Sequence, residues 1–189
     1  MNEKKFTKLG ISEALEKGLN DMNIVVPTAI QQEVIPAILK GTDVIARSET
    51  GSGKTFAYLL PLFEKIDVAL KKTQVIILTP THELAAQVQK QIELLSKFSN
   101  MEIKSALIIG SASMTRQIEK LKQKPHIVVG SAGRILDLIQ KRKISAHTVQ
   151  TIVLDEGDRL LDELNINAVK AKNIINYMIY FSMRFQIFI

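Results

Sequence analysis

At 189 residues, 46% hydrophobic and 23% charged, the chain has the length and composition of one folded domain and not of a disordered segment. It has no Cys and only three well-separated His, which excludes disulfides, thiol catalysis and thiolate metal sites and argues against a histidine-rich zinc centre. The formal net charge of +6 suits an anionic partner, nucleic acid first among them.

The opening stretch Met1–Phe6 is polar and basic, without the apolar core of a secretory signal, and no apolar run is long enough to span a bilayer. Ser12, with Glu16 nearby, and Thr28, with Gln31 one turn on, mark two helix starts, the second a capping box. Asp43–Arg47 reads as a strand and runs into a glycine-rich loop, Ser48–Thr55, followed by a helical stretch over Phe56–Ile66. Beyond it, strands at Gln74–Thr79, Ile103–Ile109, His126–Val129 and Thr151–Leu154 alternate with helices over Ala85–Phe98 and Thr115–Lys124. Near-continuous apolar strands need cover on both faces, which means a parallel sheet. The expected fold is therefore a three-layer α/β sandwich of the P-loop NTPase kind with a mostly parallel sheet.

The loop Ser48-Glu49-Thr50-Gly51-Ser52-Gly53-Lys54-Thr55 carries the first chemistry. Small residues let backbone N–H groups turn inward onto phosphate oxygens, and the following helix points its positive end at the anion. Lys54 reaches the β- and γ-phosphates, and the Thr55 hydroxyl sits on Mg²⁺. Ser48 stands where the strict pattern has Gly. By itself the loop leaves kinases, GTPases and ATPases open. The apolar strand ending at Leu154 runs into Asp155-Glu156-Gly157-Asp158, ahead of a short helix expected over Arg159–Leu164. An Asp at the end of a neighbouring strand holds Mg²⁺, and a Glu beside it polarises the attacking water. Lys54, Asp155 and Glu156 are thus the expected catalytic set, with Thr55 and Asp155 on the metal, and ATP with Mg²⁺ as the expected cofactors.

In this order the motifs resemble the first RecA-like domain of the DEAD-box family of ATP-dependent RNA helicases, from about Phe6 to Leu164. Pro27-Thr28-Ala29-Ile30-Gln31, with Phe6 upstream, is similar to the Q motif. The resemblance implies that Gln31 reads the adenine edge and Phe6 stacks on the ring. It gives a nucleotide-binding set of Phe6, Pro27, Gln31, Ser48, Thr50, Gly51, Ser52, Gly53, Lys54 and Thr55. Packing is the other reading of Phe6. Pro80-Thr81-His82-Glu83-Leu84-Ala85 resembles motif Ia, Gly110-Ser111 the Gly-Gly pair and Ser131-Ala132-Gly133-Arg134 motif Ib. The resemblance implies that Pro80, Thr81, Glu83, Gly110, Ser131, Gly133 and Arg134 hold the backbone of single-stranded RNA without reading bases. His82 stands where the family usually has Arg, and Gly157 where it has Ala. With Ser48–Glu49 and Ser131–Ala132, these departures are expected to shift rates and not to abolish ATP binding.

The resemblance further implies a cytoplasmic enzyme whose second RecA-like domain supplies arginines to the ATP site. Neither that domain nor an intact Ser-Ala-Thr motif is found in these residues, where Phe181-Ser182-Met183 is the nearest match. Weak basal ATPase without unwinding is expected. A non-enzymatic truncated product that binds nucleotide without turnover is the alternative, and a different P-loop ATPase is disfavoured by Pro27 with Gln31. The expected division is a RecA-like ATP-binding domain over 1–169 and an atypical tail over 170–189. Five of the ten aromatics lie in the last 13 residues. The tail is expected to be frameshifted or truncated, with a strand over Tyr177–Ser182 as the benign case.

Overall fold

The structure, a computed structural model, describes residues 5–49, 51–161 and 173–174, and the backbone of 186–188. Helix α1 (Glu13–Asp21) starts where Ser12 accepts a hydrogen bond from the Leu15 amide, and α2 (Ala29–Leu39) starts at a complete Thr28–Gln31 capping box. After α3 (Lys54–Lys65) the chain alternates β1 (Val75–Leu78), α4 (His82–Phe98), β2 (Ser105–Ile108), α5 (Met114–Lys122), β3 (Ile127–Gly130), α6 (Ala132–Gln140), β4 (Thr151–Leu154) and α7 (Gly157–Leu161). A last strand, β5 (Gln186–Phe188), lies in the tail.

The sheet order is β2-β3-β1-β4-β5, with every pair parallel. Alternation along each strand sends successive side chains to opposite faces. Val75, Ile77, Ile127, Val129 and Val153 join one core with side chains of α1 to α4. Ile76, Leu78, Ile108, Val128, Ile152 and Leu154 join a second core with α6 and Leu160 of α7. Two cores divided by one sheet make the three layers expected from the sequence.

Register aligns the strand ends. Leu78 stands opposite both Gly130 and Leu154, and Ile108 opposite Gly130. The loops after β1, β2, β3 and β4 therefore leave from one rim, where crevices of open α/β sheets take their ligands. Backbone bonds continue the ladder past the strands: Asp155 N donates to the Leu78 carbonyl (3.0 Å), Thr79 N to Gly130 (3.1 Å) and Ser131 N to Ile108 (3.1 Å).

One expectation changes. Asp43–Arg47 is not a strand: Val44 makes a single bridge, and Ile45 is 80% exposed. Val44 and Ala46 pack on the core while Ile45 faces outward, so the segment is covered on one side only. The strand expected over Tyr177–Ser182 lies outside the described residues, as does the expected helix beyond Leu161, but β5 pairs with β4 from Thr151↔Gln186 onward. Ile174 is fully buried in the second core. The end of the chain thus contributes to both sheet and core.

Candidate functional site

The glycine-rich loop turns twice through left-handed backbone, at Gly51 (φ +82°) and Gly53 (φ +92°), and Gly53 is the residue ahead of α3. That conformation costs L-residues about 1–2 kcal/mol, so the glycines set the turn. Lys54 Nζ donates to the Ser48 carbonyl at 2.7 Å, which folds the cation over its own loop. The Ser48 and Ser52 hydroxyls bond to each other. Thr50 lies outside the described residues.

The carboxyl end of β4 brings Asp155 to the same place. Tyr58, one turn after Thr55 on α3, donates its phenol hydrogen to Asp155 Oδ2 at 2.8 Å. Asp155, one of the expected metal pair, is therefore tied to the helix that carries the other, Thr55. Burial raises the Asp155 carboxyl above the ordinary Asp value, and the Glu156 charge raises it further, while the Tyr58 hydroxyl and Lys54 pull it down. Burial and the Asp155 charge push the Tyr58 phenol well up, so it stays a protonated donor. Glu156 occupies left-handed backbone (φ +54°) and pairs with Arg159 at 3.1 Å. A non-glycine residue held there is strained, and such strain concentrates at functional sites. Lys54, Asp155 and Glu156 line one cavity of about 520 Å³, closed on its apolar side by Ile30, Val34 and Val44.

Gln31 has both ends of its amide in use. Its Oε1 accepts from Thr28 N at 2.9 Å, and its Nε2 donates to the Gly53 carbonyl at 3.0 Å. It is 2% exposed and ties the start of α2 to the phosphate loop. Pro27 is buried, and its carbonyl accepts from Gln32 Nε2 at 2.8 Å. Phe6 does not line the cavity and is fully buried in the first core.

The remaining expected residues gather on the other half of the rim. Thr81 caps α4 by accepting from the Leu84 amide, with Pro80 before it and Glu83 exposed in the first turn. Ser131 stands at the N-terminus of α6, where Gly133 is buried in the first turn. Arg134 reaches across to donate to the Gly110 carbonyl at 2.7 Å, and Ser111 Oγ lies 3.3 Å from His82 Nδ1. Three loops that are far apart in sequence thus touch one another. Helix starts at Thr81 and Ser131 beside one guanidinium suit phosphate groups.

A family model described as DEAD/DEAH box helicase matches residues 28–186 of this chain. The chain belongs to the DEAD/DEAH box helicase family. Its DEAD-box relatives include the DEAD-box ATP-dependent RNA helicases CshC of Bacillus cereus (49% identical over 144 residues) and CshB of Bacillus subtilis (42% over 163). Those matches cover 76% and 86% of this chain but 36% and 37% of the relatives, so the chain spans about a third of their length. A DEAD box protein from Methanococcus jannaschii superposes with a TM-score of 0.85 at 34% identity, covering 97% of this chain and 49% of that one. Dbp5 of S. cerevisiae bound to RNA and ADP BeF3 gives 0.84 at 26%, covering 98% and 46%. The fold is thus the RecA-like domain of DEAD-box proteins.

Tyr58 is the residue that sequence reasoning missed. It sits among apolar residues of α3 and reads there as core. The available signal was its hydroxyl: a buried tyrosine needs a hydrogen-bond partner where phenylalanine does not.

Proposed function

We propose that the chain is the ATP-binding and ATP-hydrolysing domain of a cytoplasmic DEAD-box RNA helicase, binding ATP with Mg²⁺ at one end of its rim and single-stranded RNA at the other. The observation that carries this reading is the meeting of Lys54 at the start of α3 with Asp155 and Glu156 at the end of β4 in one cavity, with α3 tied to Asp155 through Tyr58. The names of its relatives as ATP-dependent RNA helicases support it.

The residues fit the cofactors. Gly51 and Gly53 open the loop so that amides at the start of α3 face an anion, and Lys54 exchanges the Ser48 carbonyl for phosphate oxygens. Among the described residues no three His, Asp or Glu cluster tightly enough to hold a metal alone. That suits Mg²⁺, which is held by one or two protein groups together with phosphates and water. Thr55 and Asp155 would hold it, and the ion would supply charge neutralisation at the transferred phosphoryl group. Glu156 takes the proton of the attacking water, which requires its pair with Arg159 to loosen. Pro80, Thr81, Glu83, Gly110, Ser131, Gly133 and Arg134 form the RNA side, which grips sugar and phosphate without reading sequence. Arginines from a second domain contribute on the order of 10³–10⁵ in rate in phosphoryl transfer. The 189 residues by themselves therefore show weak basal ATPase and no duplex unwinding.

Equilibrium binding of a fluorescent ATP analogue tests the reading. Lys54→Ala removes a charge-assisted bond and lowers affinity by about 10-fold or more. Unchanged affinity would overturn the nucleotide site.

A further inference from the structure

Tyr58 belongs to none of the loops expected to touch nucleotide or RNA. Its phenol nevertheless donates to Asp155 Oδ2 at 2.8 Å across 97 residues of sequence, and both residues are buried. Tyr58 stands one turn after Thr55 on α3, and residues three apart on a helix share a face. A phenol that holds one carboxylate oxygen determines which way the other points.

The geometry points to Tyr58 as a positioning residue that sets the Asp155 carboxylate for Mg²⁺ with nucleotide. This rests on the nucleotide reading of the site. A partner behind a metal ligand orients it, and its loss usually weakens metal binding or activity by about 10–100-fold. Tyr58 acts through Asp155, so its effect belongs to the metal-dependent part of nucleotide binding. Lys54 and the loop amides, which meet phosphate directly, are untouched by it.

The test titrates a fluorescent ATP analogue into the 189-residue chain with Mg²⁺ and again with EDTA. The ratio of the two affinities is the metal-dependent increment. Tyr58→Phe keeps the ring and removes only the hydroxyl. It should cut that increment by about 10-fold while leaving affinity in EDTA and the thermal unfolding midpoint near wild type. In an Asp155→Asn background the same change should have no further effect. An unchanged increment in Tyr58→Phe overturns the proposal, and so does an equal loss of affinity with and without metal, which marks a merely structural role. If the wild-type chain binds the analogue under neither condition, the nucleotide reading itself has failed, and the positioning role falls with it.

A second measurement needs no variant. The chain has no Trp and only three Tyr, so tyrosine absorption is easily read. Mg²⁺ added to the nucleotide-bound wild type should shift the red edge of the tyrosine spectrum, because the acceptor of the Tyr58 phenol changes its charge environment. No shift overturns the proposal even where Tyr58→Phe fails to fold.

Discussion

Gly53→Ala isolates the contact that joins α2 to the phosphate loop. Gly51 and Gly53 both lie in left-handed backbone, at φ +82° and +92°, but their surroundings differ. A Cβ on Gly51 meets nothing within 4 Å. A Cβ on Gly53 falls 2.6 Å from Gln31 Nε2 and 3.1 Å from Thr28 Oγ1. Gly51→Ala therefore costs only the conformational penalty of about 1–2 kcal/mol. Gly53→Ala adds displacement of the Gln31 amide from the Gly53 carbonyl, worth about 0.5–1.5 kcal/mol, and a further overpacking cost of about 1 kcal/mol or more. The two variants should differ by about 2 kcal/mol. With a urea slope of about 1–3 kcal/mol/M, that is a difference of roughly 1 M in unfolding midpoint. In a Gln31→Ala background the tightest contact is gone, and the cost of Gly53→Ala should fall toward that of Gly51→Ala, with only Thr28 Oγ1 at 3.1 Å left to give way. Equal midpoint shifts for the two glycines, or a Gly53→Ala cost indifferent to Gln31→Ala, would refute the contact.

His126 is 3% exposed, and its Nδ1 accepts from the Lys104 amide at 3.1 Å. Burial, helped by the Lys104 charge, lowers its pKa against the pull of a Val68 backbone bond and Asp67. A depressed histidine stabilises the fold above its unfolded value of about 6.5, and that contribution is lost as pH falls through the folded value. Urea midpoints across the acid range should fall more steeply for wild type than for His126→Gln; parallel curves would remove His126 from the acid response. Thr81→Ala deletes the cap of α4 and should cost about 1 kcal/mol in the same unfolding assay. Arg134→Ala frees the Gly110 loop and removes a phosphate donor. RNA binding followed against salt should weaken for every sequence and lose about one unit of slope, and an unchanged slope would take Arg134 out of the RNA contact.

Periodicity carried most of the fold. Three of the four central strands begin within a residue of where Val and Ile runs start, because strands buried on both faces have no polar positions to blur them. Ile103 fell outside β2, whose alternating burial shows a strand with one face less covered. Asp43–Arg47 shares a Val-Ile pair with the central strands, yet what decides pairing is a neighbour, and no local pattern supplies one. At the site, Thr28 with Gln31 was legible as a capping box because that bond is local. The second bond of Gln31, to Gly53, joins residues 22 apart and was not. The Tyr58–Asp155 bond spans 97 and leaves no trace in spacing.

The run of amides from Asp155 to Leu78, from Thr79 to Gly130 and from Ser131 to Ile108 has a mechanical meaning. Neighbouring strands in a sheet stand about 4.8 Å apart and slide only by breaking their hydrogen bonds. The acidic turn and the Ser131 turn are therefore fixed to one stiff plate, two strands apart, with no hinge between them. A force applied at Asp155 cannot be absorbed inside the plate. It tilts the whole domain, and whatever Thr81, Ser131 and Arg134 hold is carried round with it.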